Sequence, residues 1–359
     1  MDMGKLVSSP IDNHPLRLIK ASEWLARAQD ATDDGGVSYG WSLRGGWRPS
    51  YRETSGYIVP TFFDLAVHLS DPGWKYRAVR AAEWLVSTQN SDGSIANPEY
   101  GSDGIVFDTG QVLFGFVRAY QETNDPTFLL AAKRAGHWLV NVTDANRLWT
   151  RNEHFDTPHI YNTRTAWSLL ELDRIMPDMD LVAVARANLE WAIEEQRNGY
   201  FQHCSFKPGA IPYTHTIAYA TRGLLESGVI LEEPRYLSSA TSGAEAMRQH
   251  LREDGFIAGQ ISTEGLEQGN YCCLTGNCQL AICWIKLYLL TKNEKWKQAA
   301  IVALDYVISR QDVVTDDLDV HGAIAGSYPI WGRYAPFSYP NWATKFFLDA
   351  MMLRAQYLT

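Results

Sequence analysis

Residues 81–95 read A-A-E-W-L-V-S-T-Q-N-S-D-G-S-I, and residues 107–120 read F-D-T-G-Q-V-L-F-G-F-V-R-A-Y. The two lines differ in kind. In the first, Ala81, Trp84, Leu85 and Thr88 fall at i, i+3, i+4 and i+7, with Arg77, Arg80 and Glu83 around them. That is the pattern of a helix with one buried face. Asn90-Ser91-Asp92-Gly93 ends it, because Gly and Asn take the left-handed conformation that a helix end often needs. In the second line, Val112, Leu113, Phe114, Phe116 and Val117 put apolar groups on nearly every side, so this helix is expected to be buried. It opens at Asp108-Thr109, where Asp suits an N-cap and the positive end of the helix dipole. One unit is an amphipathic outer helix, a turn, a Gly-rich loop and a buried inner helix.

The unit recurs. Outer-helix ends read A-S-E-W-L-A-R-A-Q-D (Ala21 to Asp30), A-G-H-W-L-V-N-V-T-D (Ala135 to Asp144), N-L-E-W-A-I-E-E-Q-R (Asn188 to Arg197) and A-L-D-Y-V-I-S-R-Q-D (Ala303 to Asp312). A weaker copy ends at Asp254-Gly255. Inner helices are expected to start near Glu53, Asp108, Asn162, His215, Asn277 and Asn341, spaced by roughly 53 to 65 residues. No single pair can cover its own apolar inner helix. Six pairs closed into a ring cover all of them.

The repeat runs through almost all 359 residues, which predicts one all-α domain over 1–359. Apolar residues make up 46% and charged residues 20%, a globular balance. The net charge of −9 gives no overall attraction for nucleic acid or anionic lipid. Met1 to Leu16 is polar and holds two prolines, with no apolar run fit for a signal peptide, and no later run reaches the length of a membrane span. The expectation is a cytoplasmic protein. Five cysteines do not make a disulfide framework. Cys272, Cys273 and Cys278 cluster at an inner-helix start, but without C-x-x-C spacing or a second pair. Buried or cavity-lining thiols are expected there, and neither metal nor cofactor.

The pattern resembles the (α/α)6 toroid, or six-hairpin barrel. That superfamily includes many glycoside hydrolases, polysaccharide lyases and sugar epimerases, together with terpenoid cyclases and protein prenyltransferases. The resemblance covers the whole chain and is specific for fold rather than reaction. Ala82 to Ser94, ending Q-N-S-D-G-S, also looks like the Q-W repeat of squalene-type cyclases, with Ile95 where that repeat has Trp. The acid motif of those cyclases, D-x-D-D, has only the misordered Asp316-Asp317-Leu318-Asp319 as a counterpart.

In a toroid the inner helices run parallel, so their starts and the loops before them converge on one rim. The candidate catalytic residues there are Glu53, Asp108, His215 and Tyr271. The candidate substrate-binding residues are Trp41, Arg44, Trp47, Tyr51, Arg151, His159, Asn162, Trp331, Tyr334 and Asn341. Aromatic faces suit the C–H faces of a sugar ring, and amides and charged groups suit its hydroxyls. Each has a plainer reading: Glu53 and Asp108 as helix-start acids, His215 as a hydrogen-bonded anchor, Asn162 and Asn341 as caps, the tryptophans as loop packing. Their recurrence at one phase of separate units favours a site.

Two mechanisms fit. A hydrolase needs a proton-donating carboxylic acid and a carboxylate base, about 6.5–9.5 Å apart for inversion. Glu53 and Asp108 start adjacent inner helices, which pack roughly 8–10 Å apart. Both precede Thr and lie beside a Gly-containing turn that leaves room for substrate. A uronate lyase or C5-epimerase needs a base and groups that hold the carboxylate, for which His215, Tyr271 or Tyr334 with Arg151 or Arg44 and Asn162 are available. The leading expectation is a carbohydrate-active enzyme that hydrolyses a glycosidic bond, followed by the lyase or epimerase. A terpenoid-cyclase-like enzyme would want an apolar cavity, and a non-catalytic glycan-binding protein would tolerate loss of Glu53 and Asp108. The long aromatic loops Asp30 to Ser50 and Val320 to Pro340 are expected to meet over the mouth, because the first and last units become neighbours when the ring closes.

Overall fold

Each outer-helix pattern folds as one helix in the computed structural model, which describes residues 13–99 and 101–358. The outer helices are α1 (His14–Asp30), α3 (Gly73–Thr88), α5 (Pro126–Asn141), α7 (Met179–Glu194), α9 (Pro234–Arg248) and α11 (Glu294–Ile308). They alternate with the inner helices α2 (Arg52–His68), α4 (Val106–Thr123), α6 (Thr163–Asp173), α8 (Thr214–Ile230), α10 (Leu274–Thr291) and α12 (Asn341–Tyr357). Start signals are local. Asp125, Asp178, Glu233 and Asn293 accept a backbone N–H from the first turn of α5, α7, α9 and α11. The inner helices touch in sequence, α2 to α4 to α6 to α8 to α10 to α12, and α12 returns to α2. The ring is closed, and the architecture is the expected (α/α)6 toroid. Among the described residues, no helix is long and apolar enough to cross a membrane.

The inner helices pack backbone to backbone. A Cβ on Gly56 would sit 2.5 Å from Val112 Cα of α4, and one on Gly110 would sit 2.6 Å from Thr165 Cγ2 of α6. Gly223 and Gly276 make the same kind of contact, with Thr163 and Thr214. Gly56 and Gly110 therefore lie inside helices and bring them together. They are not turn residues that leave room for substrate, because the space beside each is filled by the neighbouring helix.

A repeated side-chain clip ties each turn to the next outer helix. Gln29 Nε2 donates to Gly35 O and to Arg77 O of α3 at 3.0 Å each. Gln89 joins Gly93 O to Ala131 O of α5, and Gln196 joins Gly199 O to Ser239 O of α9. Gln311 joins Gly322 O to Arg17 O of α1, and so links the last unit to the first. Asn188 and Asn277 serve the two turns that lack this glutamine, reaching Arg147 O and Gly255 O.

The loops expected to meet at the closure do so. Strand Gly40–Ser42 lies between Gly46–Trp47 and Ser338–Pro340, antiparallel to both, with Trp41 opposite Trp47 on one side and Tyr339 on the other. All five cysteines are buried free thiols.

Candidate active site

The starts of the inner helices share one rim, and a cavity of about 340 Å³ opens there. Glu53 and Tyr57 line it from α2, His215 and Tyr219 from α8, and Trp342 from α12. Tyr51, His154, Lys207, Arg333 and Tyr334 line it from the loops. Tyr57 and Tyr219 lie one turn below Glu53 and His215, and Phe107 packs against Tyr219 at 5.3 Å between ring centroids.

An acid cluster forms one wall. Glu53 is half-buried, and burial first and the negative charge of Asp108 second raise its carboxyl well above the usual range. A hydrogen bond from Tyr51 and the charge of Arg164 oppose that rise. Asp108 is 1% exposed, and neither carboxylate oxygen has a hydrogen-bond partner. It is the third residue of α4, and its side chain does not cap the helix. His154 Nε2 stands 3.4 Å from its Oδ1, an ion pair whenever that imidazole is protonated. Behind them, Asn162 Nδ2 donates to Glu153 Oε1 at 2.6 Å and Asn162 Oδ1 accepts from Thr165 Oγ1 at 3.1 Å. Glu153 is buried, which pushes its carboxyl well up, and the charge of Asp108 adds to that rise.

His215 and Tyr334 form the opposite wall, 5.1 Å apart between ring centroids. Burial, then the charge of Arg164, hold the imidazole down to about 3, so it is neutral at neutral pH. Gln279 Nε2 lies 2.8 Å from His215 Nδ1. An amide nitrogen only donates, so in this orientation Nδ1 accepts and the ring proton sits on Nε2. Trp342 Nε1 donates to Tyr334 Oη at 2.8 Å.

Of the residues singled out from sequence, Glu53, Tyr51, His215 and Tyr334 line the cavity, and Asp108 stands directly behind His154. The others go elsewhere. Trp47 packs on Trp24 of α1 and donates to Asp319 Oδ1 at 2.9 Å, which also places the misordered acid run outside the cavity. Trp41 packs on Tyr339, Trp331 is 68% exposed, and Arg44 lies exposed over Phe337. Arg151 is exposed. His159 is buried in a stack with Tyr161, and burial holds it down to about 4. Tyr271 Oη donates to Gln260 Oε1 at 3.0 Å, outside the cavity wall. Asn162 holds Glu153, and Asn341 Nδ2 ties Ser38 O to Thr54 Oγ1.

Sequence reasoning passed over Glu153, Lys207, Tyr57, Tyr219 and Trp342. Tyr57 and Tyr219 carried a signal, since each is at i+4 from a candidate and so shares its helix face. Glu153 and Lys207 lie in irregular loops, where no period marks direction.

The family model described as Ulvan lyase N-terminal domain matches residues 105–275, from the start of α4 to the start of α10. No curated protein sequence matches the chain. Several solved structures resemble it along nearly its whole length. The unsaturated glucuronyl hydrolase of Bacillus sp. GL1, responsible for the degradation of glycosaminoglycan, has a TM-score of 0.77 at 15% identity, covering 96% of this chain and 97% of that one. The cellobiose 2-epimerase of Bacillus thermoamylovorans B4167 has a TM-score of 0.73 at 12% identity, covering 95% and 98%. The unsaturated glucuronyl hydrolase of Streptococcus agalactiae has a TM-score of 0.70 at 12% identity, covering 98% and 93%. By its twelve-helix ring and these likenesses, the chain is a member of the (α/α)6 toroid superfamily by fold.

Proposed function

We propose that the protein is a carbohydrate-active enzyme that hydrolyses a glycosidic bond of an acidic oligo- or polysaccharide in the rim cavity. The observation that carries this reading is the Glu53–Asp108 pair on adjacent inner helices, with the Glu53 carboxyl raised by burial and by its neighbour. Glu53 gives its proton to the leaving glycosidic oxygen as the C–O bond breaks. Asp108, without competing hydrogen bonds and oriented by His154, takes a proton from the water that attacks the anomeric carbon. The proton on His215 Nε2 makes that ring a donor to substrate rather than a base. Lys207 and Arg333 are exposed cations at the mouth, suited to a uronate carboxylate. The likeness to glucuronyl hydrolases supports an acidic sugar. Five unpaired buried thiols agree with a reducing, cytoplasmic setting.

One second reading has its own support. The neutral His215 beside Tyr334, and the match of residues 105–275 to an ulvan lyase domain, fit elimination or C5-epimerisation of a uronate. A panel of uronate-containing saccharides, read for new reducing ends and for ultraviolet absorbance of unsaturated uronate, separates the two. Hydrolysis yields reducing ends with no gain in absorbance. Glu53→Gln and Asp108→Asn are expected to fold and to lose on the order of 10²-fold or more in rate. If both keep near-full turnover while His215→Ala or Tyr334→Phe abolishes it, hydrolysis gives way to elimination or epimerisation.

A further inference from the structure

A second cavity, of about 240 Å³, lies deeper in the ring. Its wall comes from later residues of the same inner helices, among them Arg118, Arg164, Trp167, Arg222 and Lys345. Arg118 lies ten residues beyond Asp108 on α4, about 15 Å further along the helix axis. The cavity therefore faces the end of the ring opposite the acid cluster.

Its cations are not fully used. Arg164 is 3% exposed, and its Nε donates to the neutral amide oxygen of Gln111 at 2.5 Å. Its Nη1 has no hydrogen-bond partner, and among the described residues no carboxylate pairs with it. Arg222 pairs through Nε with Glu226 Oε1 at 3.2 Å, and its Nη1 is also without a partner. Both guanidinium groups lie against Trp167, 5.4 and 5.1 Å from its ring centroid. The acids of the wall are occupied. Asp64 pairs with Arg118 at 2.8 Å, and Asp349 with Lys345 at 2.6 Å. Glu171 accepts from Trp167 Nε1 at 2.9 Å and pairs with Arg174. Burial lowers Arg164, and the nearby charge of Arg222 lowers it further. Burial lowers Lys345 to about 8, with both arginines adding to the fall against Asp349. An unpaired guanidinium buried beside two other cations is an unfavourable arrangement that an anion would relieve.

We propose that this cavity is a binding site for a small oxyanion, held by the Arg164 and Arg222 guanidinium groups with the Lys345 ammonium beside them. Planar guanidinium donors match the oxygen pairs of phosphate, sulfate and carboxylate, and the volume suits an ion of that size rather than a sugar chain. The site is separate from the substrate cavity and does not depend on the reaction assigned there.

Titration calorimetry of the full chain at constant ionic strength tests it, with inorganic phosphate, sulfate and acetate as separate probes. One saturable site for phosphate is expected. Arg222→Gln should weaken it at least tenfold and Arg164→Gln should abolish it, while Lys207→Gln, at the other mouth, leaves it unchanged. If Arg164→Gln fails to fold, the less buried Arg222→Gln decides. No saturable binding of any of the three anions overturns the proposal. So does binding that survives Arg222→Gln and is lost in Lys207→Gln, which moves the anion to the substrate cavity. A loss of thermal stability in Arg222→Gln that is equal with and without phosphate, and leaves phosphate affinity intact, would mean that these cations only neutralise the converging helix C-termini.

Discussion

Burial keeps the Glu53 carboxyl protonated well above the pH at which an exposed glutamate ionises, and two consequences carry opposite signs. As a proton donor, Glu53 works below its raised pKa, so the rate should fall as pH climbs through it. For stability, the folded and unfolded chains are both protonated at Glu53 below about 4.3. Above that, the unfolded chain ionises and the folded chain does not, so stability declines with rising pH until the folded pKa is reached. Glu53→Gln removes that penalty. It should raise the melting temperature near neutral pH and leave it little changed at low pH, while turnover collapses. Melting curves across that range check this, and a lower melting temperature at every pH would sink it. The position of Glu53 and Asp108 at the rim was legible, because the repeat fixes which residue starts each inner helix. The direction of the loop tryptophans was not. Trp47 turns outward onto Trp24 because a loop has no 3.6-residue period to say which side is buried.

Between elements, the glycines set the spacing of the acid pair. A Cβ on Gly115 would lie 2.6 Å from the Gly56 carbonyl oxygen, so α2 and α4 meet there without any side chain between them. Gly115→Ala should force the two helices apart at a cost of about 1–3 kcal/mol, measured by urea unfolding. It should also lower turnover by moving Glu53 relative to Asp108. Gly45→Ala is the control, since a Cβ there meets nothing within 4 Å. Equal stability and turnover in both variants would show that the helices separate freely. The helices themselves were legible from the alternation of one-sided and all-round apolar patterns. Their close approach was not, because Gly beside Thr reads as a turn until the neighbouring helix is in place.

Across the whole molecule, the ring is held by six similar clips, and one of them crosses from the end of the chain to its beginning. Gln311→Ala leaves the carbonyls of Arg17 and Gly322 without this donor, and the expected loss is about 1–3 kcal/mol. Gln89→Ala should cost a similar amount. Only Gln311→Ala should speed amide exchange in α1, and protection in α1 that is identical in the two variants would refute a distinct seam. The glutamine of W-L-x-x-x-Q was visible as a repeat, but its partners belong to other units, and no local pattern names them. The clips also pin each long rim loop at the turn where it leaves its outer helix. Whatever follows, up to the next inner helix, can lengthen, shorten or change its side chains without disturbing the helices below. Such a scaffold lets substrate preference drift by exchange of loops while folding stays solved, and recognition can diverge far faster than shape.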